Sequence, residues 1–172
     1  PSRKQLQRLL RTAARMGALQ VTLTAGEGLE AQPEIVSVCR YYGYATWIDY
    51  VRSLCQYILE RNGSTLFFPK LDIGPLSYAD LRTLRPVVPM IQIMLESADD
   101  RLQDKTAHIH APQKNVAQRM AGIEDACRAG IPVITGITVG IGESLSSWAR
   151  AAELVSEVNA RHGKIQVFQL NP

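Results

Sequence analysis

Short clusters of glycine and polar residues follow five hydrophobic runs of this chain, and they hold the side chains best suited to chemistry. The clearest cluster is residues 136–143, GITVGIGE, which follows an apolar run at residues 131–134. Its glycines allow a close approach of backbone to another group, and Glu143 ends the turn with a carboxylate. The others are residues 25–28 (AGEG), 70–72 (KLD), 96–97 (ES) and 169–171 (QLN). Polar groups that follow successive parallel strands are typical of an active site at a barrel mouth.

The residue types in these clusters indicate which groups they could bind. Gly26 lets backbone carbonyls face an ammonium group, and Glu27 adds a negative charge beside it. Glu96 at a strand end can hold two ribose hydroxyls by paired hydrogen bonds. The plainer alternatives are a simple strand-to-helix turn at residues 25–28 and a solvated loop acid at Glu96. Residues 136–143 do not follow GxGxxG and no phosphate-loop lysine follows them, so a dinucleotide or phosphate loop is not indicated.

The histidines and cysteines offer no local metal site or nucleophile. The histidines lack the spacing of helical ligand pairs, and we expect solvated-loop or helix-end positions for His108, His110 and His162. The cysteines lie far apart in helical apolar patterns, which predicts small core residues. They are Cys39, Cys55 and Cys127. No GxSxG turn or local Cys/His pair is present, so covalent hydrolysis has no support.

Alternating helices and strands must position these clusters. Hydrophobic periodicity predicts strands at residues 19–23, 65–69, 89–95, 132–139 and 164–170, each preceded by helix. This αβ alternation predicts an α/β fold with parallel strands and right-handed crossovers. An open doubly wound sheet and a partial barrel both fit the order. We favour the barrel because polar residues follow every strand, whereas an open sheet concentrates them at one switch point.

Length, composition and net charge limit the number of domains and the classes of molecule that the chain could bind. The 172 residues are 46% hydrophobic, which suits a single domain over residues 1–172. The net charge of +3 is spread along helices, so nucleic acid is not an expected partner. No apolar stretch approaches the ~20 residues that span a bilayer, so no membrane association is expected. With no secretory pattern at the start, we expect a cytoplasmic protein.

Together these clusters resemble motifs of the radical S-adenosylmethionine (SAM) superfamily, whose core is a partial (β/α)6 barrel. Residues 25–27 resemble the Gly-Gly-Glu type motif that binds the methionine amino group, with Ala25 in place of the first glycine. Residues 136–143 resemble a Gly-x-Ile-x-Gly-x-x-Glu motif that supports adenine binding, except at Thr138. The resemblance also implies that Glu96 meets the ribose. The implied SAM-binding set is Ala25, Gly26, Glu27, Glu96, Gly140, Ile141, Gly142, Glu143 and Leu170.

Within this superfamily, the chain is similar to the deazaflavin (FO) synthase family, subunit 1. That family closes a tricyclic deazaflavin ring from a tyrosine-derived hydroxybenzyl adduct of a ribityl-aminouracil. The likeness runs through residues 24–28, 44–59, 81–87, 94–97, 111–114 and 130–143. Departures occur where substrate is expected: FPKLDIG at residues 68–74 replaces Leu-Pro-His-Thr-Asn-x-Gly, Gln92 replaces a glycine, and Ile109-His110 replaces a basic pair. The implied substrate-facing set is Lys70, Asp72, Ser97, His110 and Asn171.

The family's CxxxCxxC, which ligates three irons of a [4Fe–4S] cluster, does not occur in these 172 residues. The three dispersed cysteines cannot substitute for it, so we expect no metal ligands in this chain. The chain would then supply strands 2 to 6 of the barrel, without strand 1 and the cluster loop. Either it is a fragment of the enzyme, inactive by itself, or it is a homologue that has lost its chemistry.

The resemblance implies a radical SAM lyase of FO-synthase type. SAM and a [4Fe–4S] cluster would be its cofactors, a small molecule its substrate, and a second FO synthase subunit or domain its partner. One alternative keeps the superfamily but changes the substrate, which would account for the divergent residues 70–72. The other is a cluster-free α/β module that binds a nucleoside-like ligand. A CxxxCxxC upstream would favour the enzyme.

Overall fold

The computed structural model describes residues 2–60, 67–104 and 107–172. Five parallel strands form one sheet in the order β1-β2-β3-β4-β5. The strands are β1 (Gln20–Thr24), β2 (Phe68–Asp72), β3 (Met90–Gln92), β4 (Val133–Thr138) and β5 (Ile165–Asn171). Strand order in space follows strand order along the chain, as in a barrel wall, whereas a doubly wound sheet reverses its order at a switch point. The predicted α/β partial barrel is confirmed.

Within the described ranges, six α-helices connect or precede the strands, and Ser2, Ser77 and Asn115 each cap the start of one of them. The helices are α1 (Arg3–Arg15), α2 (Pro33–Tyr41), α3 (Trp47–Glu60), α4 (Tyr78–Leu84), α5 (Val116–Arg128) and α6 (Leu145–His162). Ser2 and Gln5 form a capping box on α1. The helix α5 begins at Val116, because the Asn115 side chain accepts a hydrogen bond from the Gln118 amide. None of the helices within the described ranges combines the length and apolarity that crossing a membrane requires.

The helices bury one face of the sheet. The strand residues on this face pack with helix residues in the main core cluster, as Leu71, Ile91 and Val133 do. Along each strand they alternate with residues that point to the other face of the sheet. All three cysteines are buried and unpaired, which confirms that they are core residues. Burial raises the pKa of the Cys55 thiol to about 12. The cysteines are therefore protonated and apolar in behaviour.

The opposite face of the sheet carries polar side chains and forms the inside of the barrel wall. Residues paired in parallel register point to the same side, and the register aligns Thr22 with Lys70, Thr24 with Asp72, and Thr138 with Asn171. We call this side the inner face. Its polar members in the strands are Gln20, Thr22, Thr24, Lys70, Asp72, Gln92, Thr138, Gln169 and Asn171.

β2 differs most from its predicted bounds. The strand extends to Asp72 instead of ending at residue 69, and residues 65 and 66 of the predicted strand lie outside the described part of the chain. Lys70 and Asp72 alternate with the buried Pro69 and Leu71. Lys70 is therefore an inner-face residue within a period-two strand, and Asp72 is the inner-face residue that ends it.

We expect Gly136→Ala to destabilise the full-length protein, because a Cβ here would collide with the carbonyl oxygen of Gln169 on β5. Overpacking of this kind costs about 1–3 kcal/mol, and a lower unfolding midpoint in urea or on heating measures it. Gly26→Ala is the matched control, since its Cβ would lie 3.5 Å from its nearest neighbour, Leu29 Cδ2. An unchanged midpoint for Gly136→Ala would contradict the close packing of β4 and β5.

Candidate functional site

The C-terminal ends of the strands and the loops after them form one edge, which we call the barrel mouth: residues 24–28, 72–74, 96–97, 138–143 and 171. Backbone hydrogen bonds link its segments. The Ala25 amide donates to the Asp72 carbonyl at 3.1 Å, and the Val139 amide donates to the Asn171 carbonyl at 2.7 Å. The predicted SAM-binding residues other than Leu170 therefore lie along the same edge as Asp72, Ser97 and Asn171 of the predicted substrate set, whereas Lys70 and His110 lie outside it. Which ligand each residue binds stays a prediction.

Glu27 is held at the mouth by a buried arginine. Arg119 on α5 is 1% exposed, and its Nη2 donates to Glu27 Oε1 at 2.7 Å. Gly74, with φ of 83°, lies against the Glu27 side chain, and any Cβ there would collide with Glu27 Cγ. Truncating either partner of a buried pair leaves a desolvated charge, so this pair fixes the position of Glu27.

Glu96 lies in a strained backbone conformation that β4 holds in place. Its φ is 70°, the only positive φ of a non-glycine residue within the described ranges. Its amide donates to the Gly136 carbonyl at 3.1 Å, and its carbonyl accepts from the Thr138 amide at 2.8 Å. Its carboxylate is thereby aimed at the mouth.

Two side chains bind the Glu96 carboxylate. Lys114 Nζ donates to Oε1 at 2.9 Å, and Thr138 Oγ1 donates to Oε2 at 3.0 Å. Burial alone raises the pKa of Glu96, but the hydrogen bond and charge of Lys114, together with Thr138, outweigh it and lower the pKa below its ordinary value. The group is therefore an ionised hydrogen-bond acceptor at neutral pH.

Glu143 organises the glycine turn that precedes it. Its two carboxylate oxygens accept from the Gly140 and Ile141 amides, each at 2.8 Å, and Oε1 also accepts from Trp148 Nε1 at 2.9 Å. The hydrogen bond from Gly140 is the largest of the causes that lower the pKa of Glu143. Gly140 and Gly142 have φ of 85° and 99°, conformations that favour glycine. The carboxylate thus satisfies the amides of the turn itself.

Lys70 and Asp72 point from β2 to the inner face. Lys70 Nζ donates to Gln92 Oε1 at 2.8 Å. Burial is the main cause that raises the pKa of Asp72; the charge of Lys70 opposes it, and Glu27 and Glu96 add to it. Asp72 is therefore a stronger base than an exposed aspartate.

The remaining predicted residues are placed less centrally. Ser97 is buried, and its hydroxyl accepts from the Asp99 amide at 3.1 Å. Leu170 is 61% exposed and is registered with the buried Ile137, so its side chain leaves the sheet on the helix side. His110 is exposed on the loop before Pro112–Lys114.

Sequence reasoning missed four residues at or near the mouth. Lys114, Arg119 and Thr138 bind the predicted carboxylates, and only Arg119 carried a signal, as a charge on the buried face of α5. The expectation of a solvated His108 is wrong, since it is 5% exposed. Burial, followed by the charge of Lys114, lowers its pKa, so the imidazole is neutral at pH 7. His162 ends α6 beside Glu124, as expected.

A groove of about 530 Å³ adjoins the mouth. Its lining is mainly polar and consists of Glu27, Gly28, Glu30, Gln32, Pro75, Gln113 and Gln118. Residues 25–28 and 140–143 leave open backbone beside carboxylates, which suits a ligand with an ammonium group and hydroxyls, such as SAM. Ligands for an iron–sulfur cluster are not found in the described residues, which contain no group of His, Cys, Asp or Glu arranged to hold a metal ion.

Curated proteins similar to this chain are deazaflavin synthases. The "7,8-didemethyl-8-hydroxy-5-deazariboflavin synthase" of Methanococcus aeolicus is 30% identical over 165 residues, 96% of this chain and 46% of the relative. The protein of the same name from Methanothermobacter thermautotrophicus is 32% identical over 91% of this chain and 47% of its own. "FO synthase" of Nocardia farcinica is 32% identical over 92% of this chain and 18% of its own. The chain spans about half the length of the first two.

Solved structures share the fold of this chain, and a family comparison identifies its superfamily. The [FeFe]-hydrogenase maturase HydG superposes with a TM-score of 0.79 at 14% identity, over 99% of this chain and 36% of HydG. Methylornithine synthase, PylB, superposes with a TM-score of 0.62 at 15% identity, over 99% of this chain and 44% of its own. Both likenesses concern the fold alone. Residues 1–155 match the family described as the radical SAM superfamily, whose members in general use SAM and a [4Fe–4S] cluster. The chain belongs to the radical SAM superfamily.

Proposed function

We propose that this chain supplies strands 2 to 6 of an FO-synthase-type radical SAM lyase. The full-length enzyme would close the deazaflavin ring from a hydroxybenzyl adduct of a ribityl-aminouracil. The observation that carries the proposal is the 30–32% identity to deazaflavin synthases over more than nine-tenths of this chain. The polar mouth is the second support, because most of the predicted SAM-binding residues share it with Asp72, Ser97 and Asn171.

The proposed contacts with SAM use oxygen atoms of Glu27, Glu96 and the backbone of residues 25–26 that can still accept a hydrogen bond. Arg119 occupies Oε1 of Glu27, which leaves Oε2 and the carbonyls of residues 25–26 for the methionine ammonium. Each oxygen of Glu96 already accepts one hydrogen bond and can accept another from a ribose hydroxyl. SAM supplies the radical chemistry in this superfamily. The described residues offer no cluster ligands, so their proposed part is to bind SAM and orient it.

On the substrate side, we assign Asp72 and Lys70 to direct contact with the substrate. A carboxylate with a raised pKa can accept a substrate N–H or O–H, or take a proton while the ring closes. Ser97, His110 and Asn171 form the outer part of the proposed substrate region. Their assignments rest on the resemblance.

A second FO synthase subunit or domain is the proposed partner. The matched segment is 18% of the Nocardia protein and 46% of the Methanococcus protein, so the former is the longer chain. The Nocardia FO synthase has room for a further subunit-sized domain beside the matched one, which supports a second subunit or domain as the partner. Full-length protein with a reconstituted cluster, SAM and the hydroxybenzyl adduct tests the proposal: it predicts deazaflavin product, and SAM cleavage without that product would contradict it.

Glu96→Gln should weaken SAM binding to the full-length, cluster-loaded protein about tenfold or more, because hydrogen bonds between ribose hydroxyls and a charged acceptor contribute about 1–3 kcal/mol. Isothermal titration calorimetry with SAM measures the change. Glu124→Gln is the control, since Glu124 pairs with Arg161 and His162 between α5 and α6. Equal SAM affinity in Glu96→Gln and the parent would rule out the ribose contact.

Glu143→Ala should speed hydrogen–deuterium exchange at the Gly140 and Ile141 amides about tenfold or more, because charge-assisted hydrogen bonds contribute about 1.5–3 kcal/mol. The measurement needs no bound cofactor. Glu153→Ala, an exposed position on α6, is the matched control. Unchanged protection of the two amides would show that the turn holds its shape without Glu143.

Asp72→Ala should slow deazaflavin formation by about 10²-fold or more if Asp72 takes a proton from the substrate, with SAM affinity unchanged. Because burial raises the pKa of Asp72, the rate should also fall with decreasing pH before the ordinary aspartate range is reached. Asp125→Ala, which removes a surface pair with Arg128, is the control. Product formed at the parental rate would make Asp72 structural.

A further inference from the structure

Three polar residues of the inner face lie level with one another at the ends of β1, β2 and β3. Thr24, Asp72 and Gln92 are the last residues of these strands. The register pairs Thr24 with Asp72, and the last pair between β2 and β3 is Leu71 with Ile91. Gln92 is therefore level with Asp72. Because neighbouring strands lie about 4.8 Å apart, the three residues span a row roughly 10 Å wide. We call Thr24, Asp72 and Gln92 the polar row.

Hydrogen bonds within the chain decide which groups of the polar row remain available. Lys70 Nζ donates to Gln92 Oε1 at 2.8 Å, so the amide nitrogen of Gln92 keeps both of its N–H donors. Within the described ranges, no hydrogen bond or ion pair reaches the Asp72 carboxylate, although the charge of Lys70 acts on it. Thr24 is exposed, and its hydroxyl can donate. From β1 to β3 the polar row thus offers a donor, an acceptor and a donor.

Asp72 differs in this respect from the other carboxylates at the mouth. Glu27 is paired with Arg119, and Glu96 is paired with Lys114. Asp72 is half-buried without such a partner, and burial is the main cause that raises its pKa. A partly desolvated acceptor without a donor is unfavourable, so this position favours a ligand that brings an N–H or O–H to Asp72.

We propose that the polar row binds the imide edge of a pyrimidinedione, the uracil ring of the proposed substrate. This edge carries a carbonyl, an N–H and a second carbonyl, so it complements the row group for group. The ring N–H would donate to Asp72, and the two carbonyls would accept from Thr24 and Gln92. The next residue at this level is the apolar Ile134 on β4, so the row is three strands wide. The inference rests on the proposed function for the identity of the ring, and it adds the atoms that hold the ring.

The two N-methyl isomers of uracil test this proposal, because they differ only in the position of one methyl group. N1-methyluracil keeps the imide edge, whereas N3-methyluracil has lost its N–H. Calorimetric titration of the full-length, cluster-loaded protein with SAM should show that N3-methyluracil binds about tenfold or more weakly, as for loss of a hydrogen bond to a charged group. Asp72→Leu should abolish this preference. Asp72→Asn should keep part of it, because the amide carbonyl still accepts.

Variants at the two ends of the polar row test the donors. Thr24→Val and Gln92→Leu should each weaken binding of N1-methyluracil about two- to tenfold, as for loss of a hydrogen bond between neutral groups. Thr22→Val is the matched control, since Thr22 lies on the same strand and face but level with Lys70. This variant should bind N1-methyluracil like the parent. Parental SAM affinity in each variant shows that it is folded.

The outcomes separate this site from the proposed reaction. The site is overturned if N3-methyluracil binds the parent as tightly as its isomer, if neither isomer binds, or if Asp72→Leu keeps the parental preference. Deazaflavin assays decide the reaction independently. Deazaflavin formation by a parent without the isomer preference would leave the proposed function and remove this site. The preference in a parent that makes no deazaflavin would leave the site and remove that function.

Discussion

Parallel pairing of five strands in chain order is the constraint on which every other feature depends. It brings the C-terminal end of each strand to one edge, so loops distant in sequence share hydrogen bonds there, as between Ala25 and Asp72. It also makes the sheet two-sided, with an apolar side under the helices. At Gly136 the β4 and β5 backbones come too close for any side chain. The polar inner face follows from the same register.

Charge balance at the mouth then decides which groups are rigid. Arg119 and Lys114 come from α5 and the turn before it, and each pairs with a carboxylate contributed by a different strand loop. A buried pair contributes little net stability, since desolvation offsets the attraction, but removing one partner is costly. These pairs therefore specify where Glu27 and Glu96 lie. The strained φ of Glu96 persists because backbone bonds to β4 hold it from both sides.

Much of this fold could be predicted from period-two and helical patterns. Each strand or helix buries one side, and the spacing of its apolar residues shows which side that is. The convergence of the carboxylates at one edge followed from strand alternation alone. The limits of β2 could not be read, since Lys70 and Asp72 look like loop residues until the inner face is known to be polar. Lys114 and His108 could not be found either, because their partners are set by tertiary contacts of a long loop. The sequence showed Arg119 only as a charged residue among the apolar positions of α5, without indicating its partner.

The two halves of the site differ in how completely the chain satisfies its own polar groups. On the proposed SAM side, Glu27, Glu96 and Glu143 all bind donors from the chain, so they are oriented before any ligand arrives. Preorganised acceptors lose little entropy on binding. On the β2 side, Lys70 meets only a neutral amide, and the carboxylate of Asp72 is destabilised by burial. A carboxylate destabilised in this way favours a ligand that supplies a proton or a hydrogen-bond donor. The proposed substrate contact of Asp72 thus lies at a strand end that the chain leaves partly unsatisfied, whereas the proposed SAM contacts lie in loops that the fold has already fixed.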